Sequence, residues 1–282
     1  MGSLAGQSAL VTGAGRGIGK ALARRLAAEG AHVTVTARSR QQVEETAQQI
    51  ESSGGKAQAI VADVTDDTAV AQAVAAAAKH FGPVSILVNN AGLPGPFGPI
   101  GDTDPLTWFA SHQVHVLGPL LFMNAVIPGM RARSGGGRII NIVSSAGLQP
   151  IPNLSAYAVG KATAIRLTEN VDLEERNNGI RAFALQPGTI ITDMAHDTMG
   201  SPEAQRHIPE GIAMLQSRTP EDSARDLRRC CDVVVALASR RYDGLAGRYL
   251  DIDWDLDAKL REVWQAAVAA PPINPDVASA PE

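Results

Sequence analysis

Seven short apolar runs alternate with helical patterns along this chain, and that alternation restricts the fold more than any other feature. The runs are SALV (8–11), HVTVT (32–36), AQAIV (57–61), SILV (85–88), RIINIV (138–143), IRAFAL (180–185) and GRYLDI (247–252). Most are continuously apolar rather than alternating, as strands buried on both faces require. Helical patterns fall between them, over about 18–29, 39–53, 67–81, 106–133, 155–177 and 220–239. Repeated strand–helix–strand units with right-handed crossovers build a doubly wound α/β fold, a seven-stranded parallel sheet with helices on both faces. No linker or repeat divides it. Residues 1–258 are expected to form one domain, followed by an extension over 259–282 whose tail, from Pro271, lacks a periodic apolar face and is expected to be disordered.

Composition serves mainly to exclude. A net charge of -4 leaves no basic excess for nucleic-acid phosphates. The two cysteines, Cys230 and Cys231, are adjacent, so they suit buried thiols in a reducing cytoplasm better than a disulfide. Nothing in the spacing of Cys and His suggests a metal site. No signal peptide is expected, nor a membrane partner, because no apolar run reads as long enough to span a bilayer.

At the first strand–helix junction stands TGAGRGIG, with Gly13, Gly15, Gly17 and Gly19. Backbone amides at a helix start face an anion, and glycine there is read as keeping a Cβ away from a pyrophosphate. The end of the second strand reports on the ribose. An acid there would bind a free 2′-hydroxyl, but the chain has Ala37, then Arg38 and Ser39. Arg16, inside the glycine loop, is expected to reach the same position. A charge-assisted bond of roughly 1.5–3 kcal/mol would favour a 2′-phosphate, so NADP(H) is expected over NAD(H). Asp63 ends the third strand, where a carboxylate would accept from an adenine amine, and NNAG ends the fourth.

Tyr157 and Lys161 stand four apart on one helix face, and Ser144 closes the strand before that helix. A hydroxyl, a phenol and an ammonium therefore converge beyond the carboxyl ends of the sheet. With Thr12-Gly13-x-x-x-Gly17-x-Gly19, Asp63, Asn89-Asn90-Ala91-Gly92, Ser144, Tyr157-x-x-x-Lys161 and Pro187-Gly188 in this order, the chain resembles the classical short-chain dehydrogenases/reductases over residues 4 to about 252.

The resemblance implies a Rossmann fold and hydride transfer between a nicotinamide and a carbonyl or alcohol carbon. Tyr157 would be the general acid in reduction, with Lys161 and the oxidised nicotinamide lowering its pKa. Moving a phenol from 10 to about 7 needs roughly 4 kcal/mol. Ser144 would hold the substrate oxygen. The cofactor would lie on Gly13, Gly15, Arg16, Gly17, Ile18, Gly19, Arg38, Ser39, Asp63, Val64, Asn90, Ala91, Gly92, Tyr157, Lys161, Pro187, Gly188, Ile190 and Thr192. Where the family usually has an asparagine supporting a water relay to the lysine, this chain has His115, which could carry the relay and make it sensitive near neutral pH, or be a neutral histidine satisfied by local backbone.

The segments 93–105 and 189–218 follow strand ends and read as loops lining a site. Leu93, Pro94, Phe97, Leu148, Gln149, Ile151, Ile190, Met194 and Met199 are the expected pocket wall, suiting a mainly apolar ketone. NADPH-dependent ketone reduction is the leading expectation. The alternatives are a secondary-alcohol dehydrogenase and a non-catalytic NADP(H)-binding regulator. The helices at 106–133 and 155–177 are expected to pair in a homodimer or homotetramer, because the first is apolar nearly all round.

Overall fold

In the computed structural model, which describes residues 2–269, all seven runs join one sheet. The strands are β1 (Ser8–Thr12), β2 (His32–Ala37), β3 (Lys56–Val61), β4 (Ile86–Asn89), β5 (Arg138–Ile142), β6 (Arg181–Gln186) and β7 (Tyr249–Asp251). Their order is β3-β2-β1-β4-β5-β6-β7 and every pairing is parallel. The chain winds outward from β1 to β3, then crosses back to β4 and winds the other way. A crevice therefore opens beyond the carboxyl ends of β1 and β4. The tail from Pro271, expected to be disordered, lies outside the described residues.

The continuous apolar runs have the predicted consequence for the core. Along β1, β4 and β5, Val11, Val88 and Ile140 point to one face, while Leu10, Leu87 and Ile139 point to the other. The first face is covered by α1 (Gly17–Ala28), α2 (Arg40–Ser52) and α10 (Pro220–Ala238), through Leu22, Leu26, Val43, Ile50, Val234 and Leu237. On the second lie α3 (Asp67–Phe81), α5 (Gly118–Arg131) and α6 (Ser155–Glu175), with Val70, Phe122, Met123, Val126 and Val171 buried against the sheet. Helix starts follow side-chain caps. Ser39 accepts from the Gln42 amide, and Asp66 accepts from Ala69.

The expected helix over 106–133 is divided. It runs as α4 (Pro105–His112), a π-helical turn (Gln113–Leu117) and then α5. Pro119 explains the break, since it has no amide hydrogen to give the carbonyl four residues back. The Gly118 amide instead reaches the Gln113 carbonyl, five residues back. The whole run, Pro105–Arg131, has a window of mean hydropathy 1.3 and is, by length and composition, apolar enough to cross a bilayer. That corrects the expectation that no run reaches this mark: scattered polar residues hide it from inspection of consecutive apolar positions. Its buried Phe122, Met123, Val126 and Met130 face the sheet, and His115 packs on α6.

Two further expectations change. The segment 189–218 is mostly helical: α7 (Asp193–Gly200), α8 (Pro202–His207) and α9 (Pro209–Gln216). Each spans about two turns, too short for a 3.6-residue period to show in the sequence. The boundary at 258 falls inside α11 (Leu256–Ala269), whose Leu256 is buried and whose Leu260 and Val263 pack on the main core.

At the start of β5 the Arg138 side chain, 5% exposed, donates to both carboxylate oxygens of Asp243 and to the carbonyls of Gly137 and Gly179. Removing one partner strands a buried charge. Asp243→Ala should therefore lower unfolding free energy by about 3–5 kcal/mol, read from urea melts.

Candidate active site

The glycine loop links β1 to α1 and is pressed onto the end of β4. Thr12 Oγ1 accepts from the amides of Asn90 (3.0 Å) and Ala91 (3.1 Å), while Asn90 Nδ2 donates back to the carbonyls of Thr12 and Gly13. Gly13 has φ +63°, and a Cβ there would lie 2.9 Å from Ala91 Cα. On Gly19 a Cβ would lie 2.4 Å from the Gly13 carbonyl oxygen. This corrects the reason given for these two glycines. A side chain would collide with the chain's own loop before it met any ligand.

Beyond this loop lies a cleft of about 490 Å³. Into it the structure brings Gly13, Gly15, Arg16, Gly17, Ile18, Arg38, Ser39, Asp63, Val64, Asn90, Ala91, Gly92, Leu93, His115, Tyr157, Lys161, Pro187, Thr192 and Met194. Gly19 and Gly188 stay outside the lining. Gly188, at φ +85°, turns the chain against Ile252 and Asp226. Gln42, Val114 and Asp193 also line the cleft and were not singled out in the sequence. Gln42 had one legible signal: it stands three residues after the cap Ser39, on the first turn of α2. Asp63 spends one oxygen on the Thr65 amide and hydroxyl.

Tyr157 and Lys161 lie one turn apart on α6, with Lys161 Nζ 5.5 Å from the phenol ring centre. The ammonium donates to the Ile142 carbonyl at 2.9 Å, and burial lowers its pKa to about 8. Burial raises the Tyr157 phenol, and a hydrogen bond with Ser144 pulls it partly back. The phenol therefore stands protonated at neutral pH. Ser144 caps the short turn after β5, accepting from the Ala146 amide at 3.2 Å. It does not line the cleft directly but reaches it through Tyr157.

His115 sits in the π-helical turn, 2% exposed. Its Nε2 pairs with the Leu93 carbonyl at 2.8 Å, and its ring meets Tyr157 edge-on at 5.4 Å. Desolvation, with the nearby Lys161 charge, lowers its pKa to about 3. The expected sensitivity near neutral pH is thus corrected: the ring is neutral there. With Nε2–H given to Leu93, Nδ1 is left as a buried acceptor that has no partner.

The pocket wall differs from expectation. Only Leu93 and Met194 line the cleft. Leu148 and Gln149 are exposed, and Pro94, Phe97 and Ile151 are half-buried outside it. Ile190 and Met199 line a second cavity of about 740 Å³ bordered by α7, α9 and α10. Folding of 193–200 as a helix is the cause, since Met199 lies five residues past Met194, about 140° round the axis. The segment 93–105 is nonetheless tied down: the Gly98 amide donates to the Asn153 carbonyl, and Asn153 Nδ2 to the His207 carbonyl.

A family model described as short chain dehydrogenase matches residues 7–202. A short chain dehydrogenase of Monascus purpureus is 33% identical over 92% of this chain and 86% of its own length. The crystal structure of a putative short-chain dehydrogenase/reductase from Burkholderia xenovorans superposes with a TM-score of 0.79 at 30% identity, covering 92% of this chain and 99% of that one. An NAD+-bound xylitol dehydrogenase gives 0.76 at 30% identity, covering 88% and 98%. The chain belongs to the short-chain dehydrogenase/reductase family. Its members are oxidoreductases that act on small alcohols or carbonyl compounds with NAD(H) or NADP(H), and they often form oligomers.

A histidine kept neutral by folding links stability to acid. Between pH 6.5 and about 3 the unfolded chain binds a proton at His115 that the folded chain does not. This residue's contribution is complete above pH 6.5 and falls by about 1.4 kcal/mol per pH unit below it. His115→Asn should flatten that acid limb by roughly 1 kcal/mol per unit in urea melts at stepped pH.

Proposed function

We propose that this chain reduces a mainly apolar ketone to a secondary alcohol with NADPH. The observation that carries the reading is the Tyr157 phenol, raised by burial and held between Ser144 and Lys161 beside the cleft. A phenol kept protonated is poised to give a proton to a carbonyl oxygen. Ser144 is placed to hold that oxygen, and Lys161 keeps positive charge beside the phenolate that results. Below its pKa of about 8 the ammonium is charged, anchored by the Ile142 carbonyl.

The cleft fits a dinucleotide. A loop packed so closely on its own strand presents backbone amides at the start of α1. Gly13, Gly15, Gly17 and Ile18 would hold the pyrophosphate, Asp63 and Val64 the adenine side, and Thr192 with Pro187 the nicotinamide side. When bound, the cofactor supplies the hydride. Preference for NADPH is supported by Ala37 at the end of β2, where no acid meets the ribose, and by Arg38 and Ser39 exposed at the cleft. β2 and β5 are three strand spacings apart, about 14 Å, so the Arg38 cation lies far from the reacting carbonyl. Leu93, Val114, Val143 and Met194 line the same cleft as Tyr157, which supports an apolar substrate.

The reverse reaction, oxidation of a secondary alcohol with NAD(P)+, is the second reading, favoured by likeness to the NAD+-bound xylitol dehydrogenase. A purely regulatory role is opposed by the intact Ser144, Tyr157 and Lys161. Assembly as a homodimer or homotetramer is supported by apolar side chains exposed on α4, α5 and α6: Leu106, Phe109, Leu120, Val159 and Leu173. Buried free Cys230 and Cys231 suit a reducing cytoplasm.

Tyr157→Phe should leave NADPH binding near wild type and lower turnover by at least about 100-fold, the usual scale of lost acid catalysis. Retained turnover would overturn the assignment. Titrations at fixed salt should show about tenfold or greater preference for NADPH over NADH, and Ala37→Asp with Arg38→Leu should shift it towards NADH. Equal or tighter NADH binding by the wild type would favour the second reading.

A further inference from the structure

Arg16 does not extend alone into the cleft. It stands at the start of α1 with extended backbone, and its side chain makes no capping bond. Instead Nε lies 3.8 Å from Asp193 Oδ2, and Nη2 lies 3.7 Å from Asp197 Oδ2. The two acids are four apart on α7, so they share one helix face. The beginning of α7 also rests on the loop, with Thr192 packed against Gly17. Through these contacts the glycine loop and the first of the three short helices are joined.

The pairs are weak by construction. Both are at the long end of ion-pair distances, and all three side chains are more than half exposed, with Arg16 at 52%. Water and salt screen such pairs. A phosphate is a stronger partner for guanidinium, because two short parallel hydrogen bonds fit its fork.

We propose that Asp193 and Asp197 set cofactor preference at one remove, by competing with the ribose 2′-phosphate of NADP(H) for the Arg16 guanidinium. The proposal rests on the reading of Arg16 as a phosphate partner. A cofactor bearing the phosphate draws Arg16 off α7. One with a free 2′-hydroxyl leaves both pairs in place. Asp197 lies outside the cleft lining, so it acts as a positioning residue through Arg16. Its negative charge also repels any dinucleotide, and this general repulsion must be separated from competition for one guanidinium.

A double-mutant cycle separates them. NADPH and NADH are titrated by fluorescence into wild type, Asp197→Asn, Arg16→Ala and the double variant at one low ionic strength. Arg16→Ala should weaken NADPH by about tenfold and leave NADH nearly unchanged. Asp197→Asn should tighten NADPH by about three- to fivefold with little effect on NADH, and that gain should vanish in the Arg16→Ala background. Asp197→Glu, which restores the carboxylate, should bind both cofactors as the wild type does. Equal tightening of both cofactors, or a gain that persists without Arg16, would overturn the competition while the selective loss in Arg16→Ala still supports the phosphate contact. A ratio of NADPH to NADH affinity unchanged by Arg16→Ala would remove that contact, and the competition with it.

Discussion

The clasp between Thr12 and the Asn90–Ala91 backbone is the contact on which the rest of the site depends. β1 and β4 are neighbours in the sheet but are separated in sequence by two complete strand–helix units. Where the strands end, one threonine hydroxyl takes two amides from the far side, and one asparagine amide donates to two carbonyls on the near side. The glycine loop is thereby held over the crevice by its own backbone. Its glycines serve this closure first, and space for a ligand is the result.

A second constraint runs through the long helix. Pro119 removes one backbone donor, and the ladder shifts to a wider turn at the point where His115 must face α6. A Cβ placed on Gly160 would come within 3.0 Å of His115 Cβ, so the ring has its room because α6 carries glycine there. The packed ring then meets Tyr157 and holds the Leu93 carbonyl. Backbone irregularity, helix contact and the rim of the cleft form one chain of cause.

Much of this was legible in the residues. Continuous apolar runs specify strands buried on both sides, and a four-residue spacing puts Tyr157 and Lys161 on one face whatever surrounds them. Other features depend on distances that no local pattern encodes. The low pKa of His115 comes from burial, which residue type alone does not reveal. Arg16 pairs with Arg38 in the sequence reading because the glycine loop is expected to bring it to the same phosphate, yet its partners lie about 180 positions further on. Met199 stands in the expected wall because its segment reads as a loop in the sequence. A helix turned it away.

The three short helices between β6 and α10 pack chiefly on one another and touch the sheet little. Regions joined to a core by few contacts open at lower free energy than the core does, as units of their own. Here that unit carries Asp193 and Met194 of the cleft lining, while Tyr157 and Lys161 stand on α6 and the glycine loop follows β1, both packed on the sheet. Substitutions on the exposed faces of 202–216 therefore weigh little on the stability of the sheet, and the part of the cleft wall that α7 supplies can be reshaped without unpicking the strands.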